Sequence, residues 1–208
     1  MTTIALLDYG MGNRRSVEKA LEHVGARVLL TGDPDRVAEA DGVVVPGVGA
    51  FPEAMRRLQA TGLDAVIVER ARAGVPVLGI CLGMQVLFEA STEHEGAEGL
   101  GLVPGTVSAL DAGGAKLPHI GWNEVTFQRP GALTQDLGPT AAFYHVHSFV
   151  CRPDDPADVV GRGEYGESFA SIVERGRVMG AQFHPEKSSR AGLALLGNFV
   201  TACATVPA

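Results

Sequence analysis

Gly79-Ile80-Cys81-Leu82-Gly83 sets one thiol between two glycines, the spacing of a nucleophile elbow. Glycines on both flanks let the chain turn sharply without Cβ clashes, so the middle side chain can stand above a sheet in a strained conformation. A helix starting near Leu82 would aim its unpaired N–H groups and positive dipole end at the sulfur, which favours thiolate over thiol. The chemistry expected of such a cysteine is attack on a carbonyl carbon. Cys151 and Cys203 lack this setting and read as small buried hydrophobes.

A thiolate that expels an amine needs a proton donor, and histidine suits neutral pH best. Among six histidines, His184 follows the apolar run Val178 to Phe183 and precedes Pro185, which biases it to extended geometry. Glu186, two residues on, projects to the same side and can hold the imidazole in one tautomer. His23 reads as a solvated helix residue and His94 as part of a polar loop. His145 and His147 alternate on a strand and so point the same way, as a metal site requires, but no acid or thiol accompanies them at ligand spacing. Packed or hydrogen-bonded imidazoles are the expected outcome there, with no metal.

Attack on an amide builds charge on oxygen, and one backbone N–H aimed at that charge is typically worth ~3 kcal/mol. Leu82, next after the nucleophile, offers one donor. The turn Pro46-Gly47-Val48-Gly49, leaving the C-terminal end of another strand, offers a second or is a plain connector. Its glycines would let a peptide plane reorient, so that the oxyanion hole could be completed only when a partner binds. Gln85 and Glu89 lie four and eight residues after Cys81. On a continuing helix they would share its face, either as solvated residues or as readers of a polar substrate.

These groups need a scaffold. Ile4 to Leu7, Val43 to Val45 and Val75 to Ile80 read as buried parallel strands. Val17, Ala20, Leu21 and Val24 mark one amphipathic helix, and Phe51, Ala54, Met55 and Leu58 another. The first half is therefore β-α-β-α-β, an α/β fold with an open, mostly parallel, doubly wound sheet. After Gly101, stretches at 105–110, 122–127, 143–149, 169–173 and 178–183 read as antiparallel additions to it. A final helix carries Leu193, Leu196, Val200 and Cys203 on one stripe. Loops such as Asp111-Ala112-Gly113-Gly114 and Pro153-Asp154-Asp155-Pro156 sit on the surface rather than between domains, so residues 1–208 are expected to form one domain.

Composition narrows the function further. A formal charge of -7 with no Lys/Arg block argues against nucleic acid. No run of about 18 apolar residues and no basic n-region points to a membrane or secretion. Three cysteines without CxxC spacing suggest neither a disulfide framework nor structural zinc, and a reducing cytoplasm fits best.

The chain resembles the class I, triad-type glutamine amidotransferases from end to end, most closely the glutaminase subunits of imidazole glycerol phosphate synthase. The resemblance rests on residues 8–13 (Asp-Tyr-Gly-Met-Gly-Asn), 46–51 (Pro-Gly-Val-Gly-Ala-Phe), 79–85 (Gly-Ile-Cys-Leu-Gly-Met-Gln), 118–123 (Pro-His-Ile-Gly-Trp-Asn), 147–149 (His-Ser-Phe) and 182–188 (Gln-Phe-His-Pro-Glu-Lys-Ser). It implies a flavodoxin-like sheet with Cys81 as nucleophile, His184 as general acid/base and Glu186 as its orienter. It implies glutamine held near Gly47, Val48, Gly49, Leu82, Gln85, Glu89, His147, Ser148 and Phe149, and no cofactor. It also implies a (β/α)8-barrel cyclase partner that receives ammonia for imidazole-ring formation in histidine biosynthesis, with Asn13, Trp122, Asn123 and Lys187 near the interface. Trp122 could equally be core. The glutaminase subunit of another class I synthase is the alternative. A cysteine protease on a similar sheet, or a regulatory subunit with a degenerate site, fits His184-Pro185-Glu186 and the intact set of three less well.

Overall fold

The computed structural model describes residues 1–205. Along the first part of the chain run β1 (Thr3–Leu7), α1 (Arg14–His23), β2 (Arg27–Thr31), α2 (Pro34–Ala38), β3 (Gly42–Gly47), α3 (Phe51–Thr61), α4 (Leu63–Arg72), β4 (Val77–Cys81) and α5 (Leu82–Gln85). There follow β5 (Phe88–Ser91), β6 (Ala97–Glu98), β7 (Val103–Ala109), β8 (His119–Phe127), β9 (Thr140–His147), β10 (Phe149–Pro153), β11 (Val159–Tyr165), β12 (Glu167–Arg175), β13 (Val178–Ala181) and α6 (Ser189–Ala204).

One sheet takes them in the order β2-β1-β3-β4-β13-β12-β10-β7-β5-β6, with β11 joining β12 to β8, and β8 joining β9. The first five strands are all parallel. That core is the expected doubly wound sheet, and two of its details correct the sequence reading. Residues 178–183 do not form an antiparallel addition: β13 runs parallel to β4, and the switch comes one strand later, at β12. Stretch 143–149 is two strands, broken at Ser148.

Strand residues alternate between two apolar layers. Ala5, Leu7, Val43 and Val45 face α3 and α4 through Leu58, Leu63 and Ile67. Ile4, Leu6, Val44 and Leu78 face α1 and α6 through Leu21, Leu195, Leu196 and Phe199. Both faces of the parallel strands are thus covered, which is why they read as unbroken apolar runs. On α6 the buried stripe is Gly192, Leu195, Leu196, Phe199 and Cys203, with Leu193 and Val200 packed at its edges. Gly62, in a left-handed conformation at φ +71°, separates α3 from α4, a break that glycine makes at little cost. No helix among the described residues is long and apolar enough to cross a membrane.

Candidate active site

β4 ends at Cys81 and α5 begins at Leu82, so the thiol stands at the strand-to-helix corner. Cys81 holds φ +55°, ψ −112°, a region that a residue with a Cβ occupies only under constraint. The flanking glycines supply that constraint. A Cβ on Gly79 would lie 2.3 Å from the Gly83 carbonyl oxygen, and one on Gly83 would meet the backbone of β3. The helix that follows is a single turn. So short a helix brings no long macrodipole to the sulfur.

β13, the neighbour of β4, delivers the base. His184 follows it with φ −101°, ψ 95°, the extended geometry that Pro185 favours. Its Nδ1 lies 3.0 Å from Glu186 Oε1, and both side chains are buried. Nε2 is left free of the carboxylate, and the Cys81 sulfur acts on the same ring. Burial alone would pull the His184 pKa down; the Cys81 sulfur and the Glu186 carboxylate outweigh it and carry it up to about 9. The ring is also held from behind. His184 N–H donates to the Tyr144 carbonyl at 2.9 Å, and Ser188 Oγ donates to the His184 carbonyl at 2.7 Å while accepting from Tyr144 N–H.

A cleft of about 360 Å³ opens over the sulfur. Of the residues expected there, Val48, Gly49, Leu82, Gln85, His147, Ser148, Phe149 and His184 line it; Lys187, expected at the partner interface, lines it as well. Gly47 does not line it but lies packed at the end of β3, where a Cβ would meet the Tyr9 hydroxyl at 2.7 Å and Leu82 Cβ at 3.0 Å. Glu186 stands behind the imidazole. Gln85 Nε2 donates to the Phe149 carbonyl and to Gln182 Oε1, each at 3.2 Å.

Glu89 is a correction. It lies on β5, not on a helix with Cys81, is exposed, and accepts from Gly105 N–H at 3.1 Å. Val86, Leu87 and Phe88 are all fully buried, and three consecutive core residues cannot share one face of a surface helix, so the chain leaves α5 after one turn. The carboxylate that lines the cleft is Glu93, whose Oε2 also accepts the N–H of Phe51 at 2.7 Å at the start of α3. Nothing local marks Glu93, which sits in a polar Ser-Thr-Glu-His-Glu run. Val146, a further lining residue, likewise becomes visible only in the fold, as do the places of Pro118 on the cleft wall and of Gln182, buried behind it.

Asn13 stands at the N-cap position of α1 without a side-chain capping bond, and Trp122 is 56 % exposed on β8. Asn123, one residue on, turns the other way, its amide donating to the Glu164 carbonyl. His145 and His147 do point to one side of β9, but their nitrogens meet hydrogen-bond partners: Ser171 and the Phe143 carbonyl for His145, His119 and the Phe149 carbonyl for His147. Among the described residues no group of three or more His, Cys, Asp or Glu is arranged to hold a metal ion. Cys151 and Cys203 are buried and free, and burial pushes the Cys203 thiol up to about 12.

The family model described as glutamine amidotransferase class-I matches residues 5–203. The chain belongs to the class I glutamine amidotransferase family. This amidotransferase is 52% identical over 199 residues to the imidazole glycerol phosphate synthase subunit HisH of Moorella thermoacetica, covering 96% of the chain and 94% of that relative. It is 46% identical to the protein of the same name from Aromatoleum aromaticum, over 97% of the chain and 99% of the relative. In fold the amidotransferase is similar to the solved structure of PurLQS from Thermotoga maritima, with a TM-score of 0.77 at 20% identity over 97% of the chain and 99% of that structure.

Proposed function

We propose that this amidotransferase is the glutaminase subunit of an imidazole glycerol phosphate synthase, hydrolysing the side-chain amide of L-glutamine and passing ammonia to a cyclase partner in histidine biosynthesis. The names of relatives near half identity over nearly the whole chain support the pathway. The observation that carries the chemistry is the strained Cys81 beside a His184 that Glu186 orients from behind, with Cys81 and His184 opening on one cleft.

In this reading the Cys81 sulfur attacks the amide carbon, and the C=O electrons move onto oxygen. The N–H of Leu82 and an N–H from the Gly47–Gly49 turn receive that charge. As the tetrahedral species collapses, the C–N bond breaks and His184 Nε2 gives its proton to the departing nitrogen, releasing ammonia and leaving a thioester. The now neutral imidazole takes a proton from water, which attacks the thioester and yields glutamate and the free thiol. Glu186 keeps Nδ1 protonated so that Nε2 serves throughout. Thiol chemistry of this kind asks for no metal or cofactor. Glu93, the carboxylate at the cleft wall, suits the substrate's ammonium group.

The partner, read as a (β/α)8-barrel cyclase in a heterodimer, would seat over the cleft mouth. Exposed Val48, Leu117, Ile120 and Trp122 supply apolar contact there, with Lys187 and Asn13 as polar ones. Val48 belongs to the turn that would supply the second oxyanion donor, and Gly49 beside it holds φ +108°. Docking there would press on the turn directly, which supports a hole completed on partner binding. Residues 1–208 act as one domain, and a thiolate nucleophile suits a reducing cytoplasm.

A diazoketone analogue of glutamine tests the reading. The protein should gain one adduct at Cys81, glutamine should protect it, and Cys81→Ala should gain none. Labelling elsewhere, or labelling that glutamine does not slow, would overturn it.

A further inference from the structure

The corner between β9 and β10 forms the cleft wall nearest the nucleophile: the Val146 carbonyl is 3.8 Å from Cys81 Sγ, and His147, Ser148 and Phe149 line the cavity. This corner closes on itself. His147 Nδ1 lies 3.1 Å from the Phe149 carbonyl, which also receives the Gln85 amide. A carbonyl only accepts, so His147 must carry its proton on Nδ1. Its Nε2 is then an acceptor, and 3.2 Å away stands His119 Nδ1, which must donate. His119 Nε2 in turn accepts from Asn123 Nδ2 at 3.3 Å, while the second hydrogen of that amide goes to the Glu164 carbonyl at 2.9 Å. The hydrogen bonds admit one consistent set of tautomers from Asn123 to the cleft.

Both rings are neutral, as this chain requires. Burial lowers the His119 pKa, and burial together with the neighbouring histidines takes that of His147 down to about 3. His119 is itself fixed in plane by Tyr165, stacked on it with ring centroids 4.1 Å apart.

We propose that His119 is a positioning residue for glutamine: by donating from Nδ1 it fixes the tautomer of His147, and so holds the 147–149 wall and the Gln85 amide in the shape that binds the substrate. Without that donor, His147 is free to move its proton to Nε2, and the bond that closes the corner is lost. Nothing in this role touches the reacting atoms, so binding should suffer more than turnover. The inference rests on the glutaminase reading given above.

Two substitutions separate hydrogen bonding from packing. His119→Phe keeps a ring against Tyr165 and removes the donor; His119→Asn gives up the ring and keeps an amide N–H near the Nδ1 position. In the complex with the cyclase, H119F should raise the glutamine KM about tenfold, the worth of one buried hydrogen bond, with kcat changed far less. H119N should stay near the wild-type KM. The opposite order, with H119F normal and H119N impaired, would make His119 a packing residue and overturn the proposal. Independently of activity, 15N spectra of the wild-type chain should show His147 protonated on Nδ1; an Nε2–H ring would overturn the relay even if both variants failed to fold. A wild-type complex that releases no glutamate would count against the glutaminase reading, and the spectrum would still decide the relay.

Discussion

Gly83 lies so close beneath Val45 that a methyl group on its Cα would sit 1.7 Å from the Val45 carbonyl oxygen. The obstacle is backbone of a central strand and cannot turn aside. Gly83→Ala should therefore cost about 3 kcal/mol or more, the upper end of overpacking, and should displace Cys81 as well. Gly25→Ala is the control, since its Cβ would meet nothing within 4 Å and only the φ of +92° is unfavourable. Urea unfolding of the two variants should differ by a wide margin; equal midpoints would show that the elbow tolerates a side chain.

Removal of the nucleophile or the base should be nearly complete in effect. Cys81→Ala and His184→Ala should each lower glutaminase turnover by roughly 10⁴-fold or more, because groups acting as one unit fail together. The double variant should be hardly worse than either single one. Synthesis by the partner from added ammonia should continue, which a stopped-time assay with ammonium in place of glutamine would read.

Glu93→Gln should raise the glutamine KM while changing kcat little, if its carboxylate meets the substrate's ammonium. The Phe51 N–H retains an acceptor in this variant, so the start of α3 should survive and the melting temperature should move only slightly. A loss confined to kcat would place Glu93 elsewhere in the reaction.

Stability should fall on both sides of neutrality, for different histidines. His184 titrates at about 9 in the folded protein against about 6.5 when unfolded. Its contribution is therefore full below about pH 6.5 and is lost as pH rises through 9. His145 and His147 behave oppositely. Burial first, and then neighbouring imidazoles, take both down to about 3, so the unfolded chain binds their protons first and stability drops as pH falls below about 6.5. Each contributes a slope of about 1.4 kcal/mol per pH unit there. His145→Phe should remove one such slope between pH 4 and 6, whatever its cost at pH 7, and Glu186→Gln should shift the alkaline limb to lower pH. Denaturant melts across pH 4 to 10 would check both.

Trp122 is the chain's only tryptophan and is more than half exposed. Its emission should shift to the blue when the cyclase docks. Trp122→Ala should weaken docking by about 2 kcal/mol, roughly thirtyfold in Kd, as loss of a central aromatic anchor does.

How far this was legible in the chain depended on where the decisive interaction lies. The buried parallel strands and the Cys81 elbow announce themselves because both faces of the strands are apolar and both flanking glycines are within two residues. β2 leaves no apolar run, because most of its residues are half-buried or exposed. The direction of β13 is not legible in its residues, since a strand parallel to β4 and an antiparallel one would share one composition; partners set it. Glu89 satisfies a helical count from Cys81 that burial of Val86 to Phe88 cuts short, and no such count reaches Glu93. His119 sits in the segment 118–123 that carries the family resemblance, but its place in the relay comes only from β8 lying beside β9 with His119 opposite His147.

The nucleophile and its base arrive on adjacent strands, paired Gly79 with Gly180 and Ile80 with Ala181. Cys81 closes β4, and His184 stands three residues beyond the end of β13, its backbone pinned by the Tyr144 carbonyl and the Ser188 hydroxyl. Parting sulfur from imidazole therefore asks for movement of that pinned segment and not of the ladder, so these two bonds keep the reactive pair cocked.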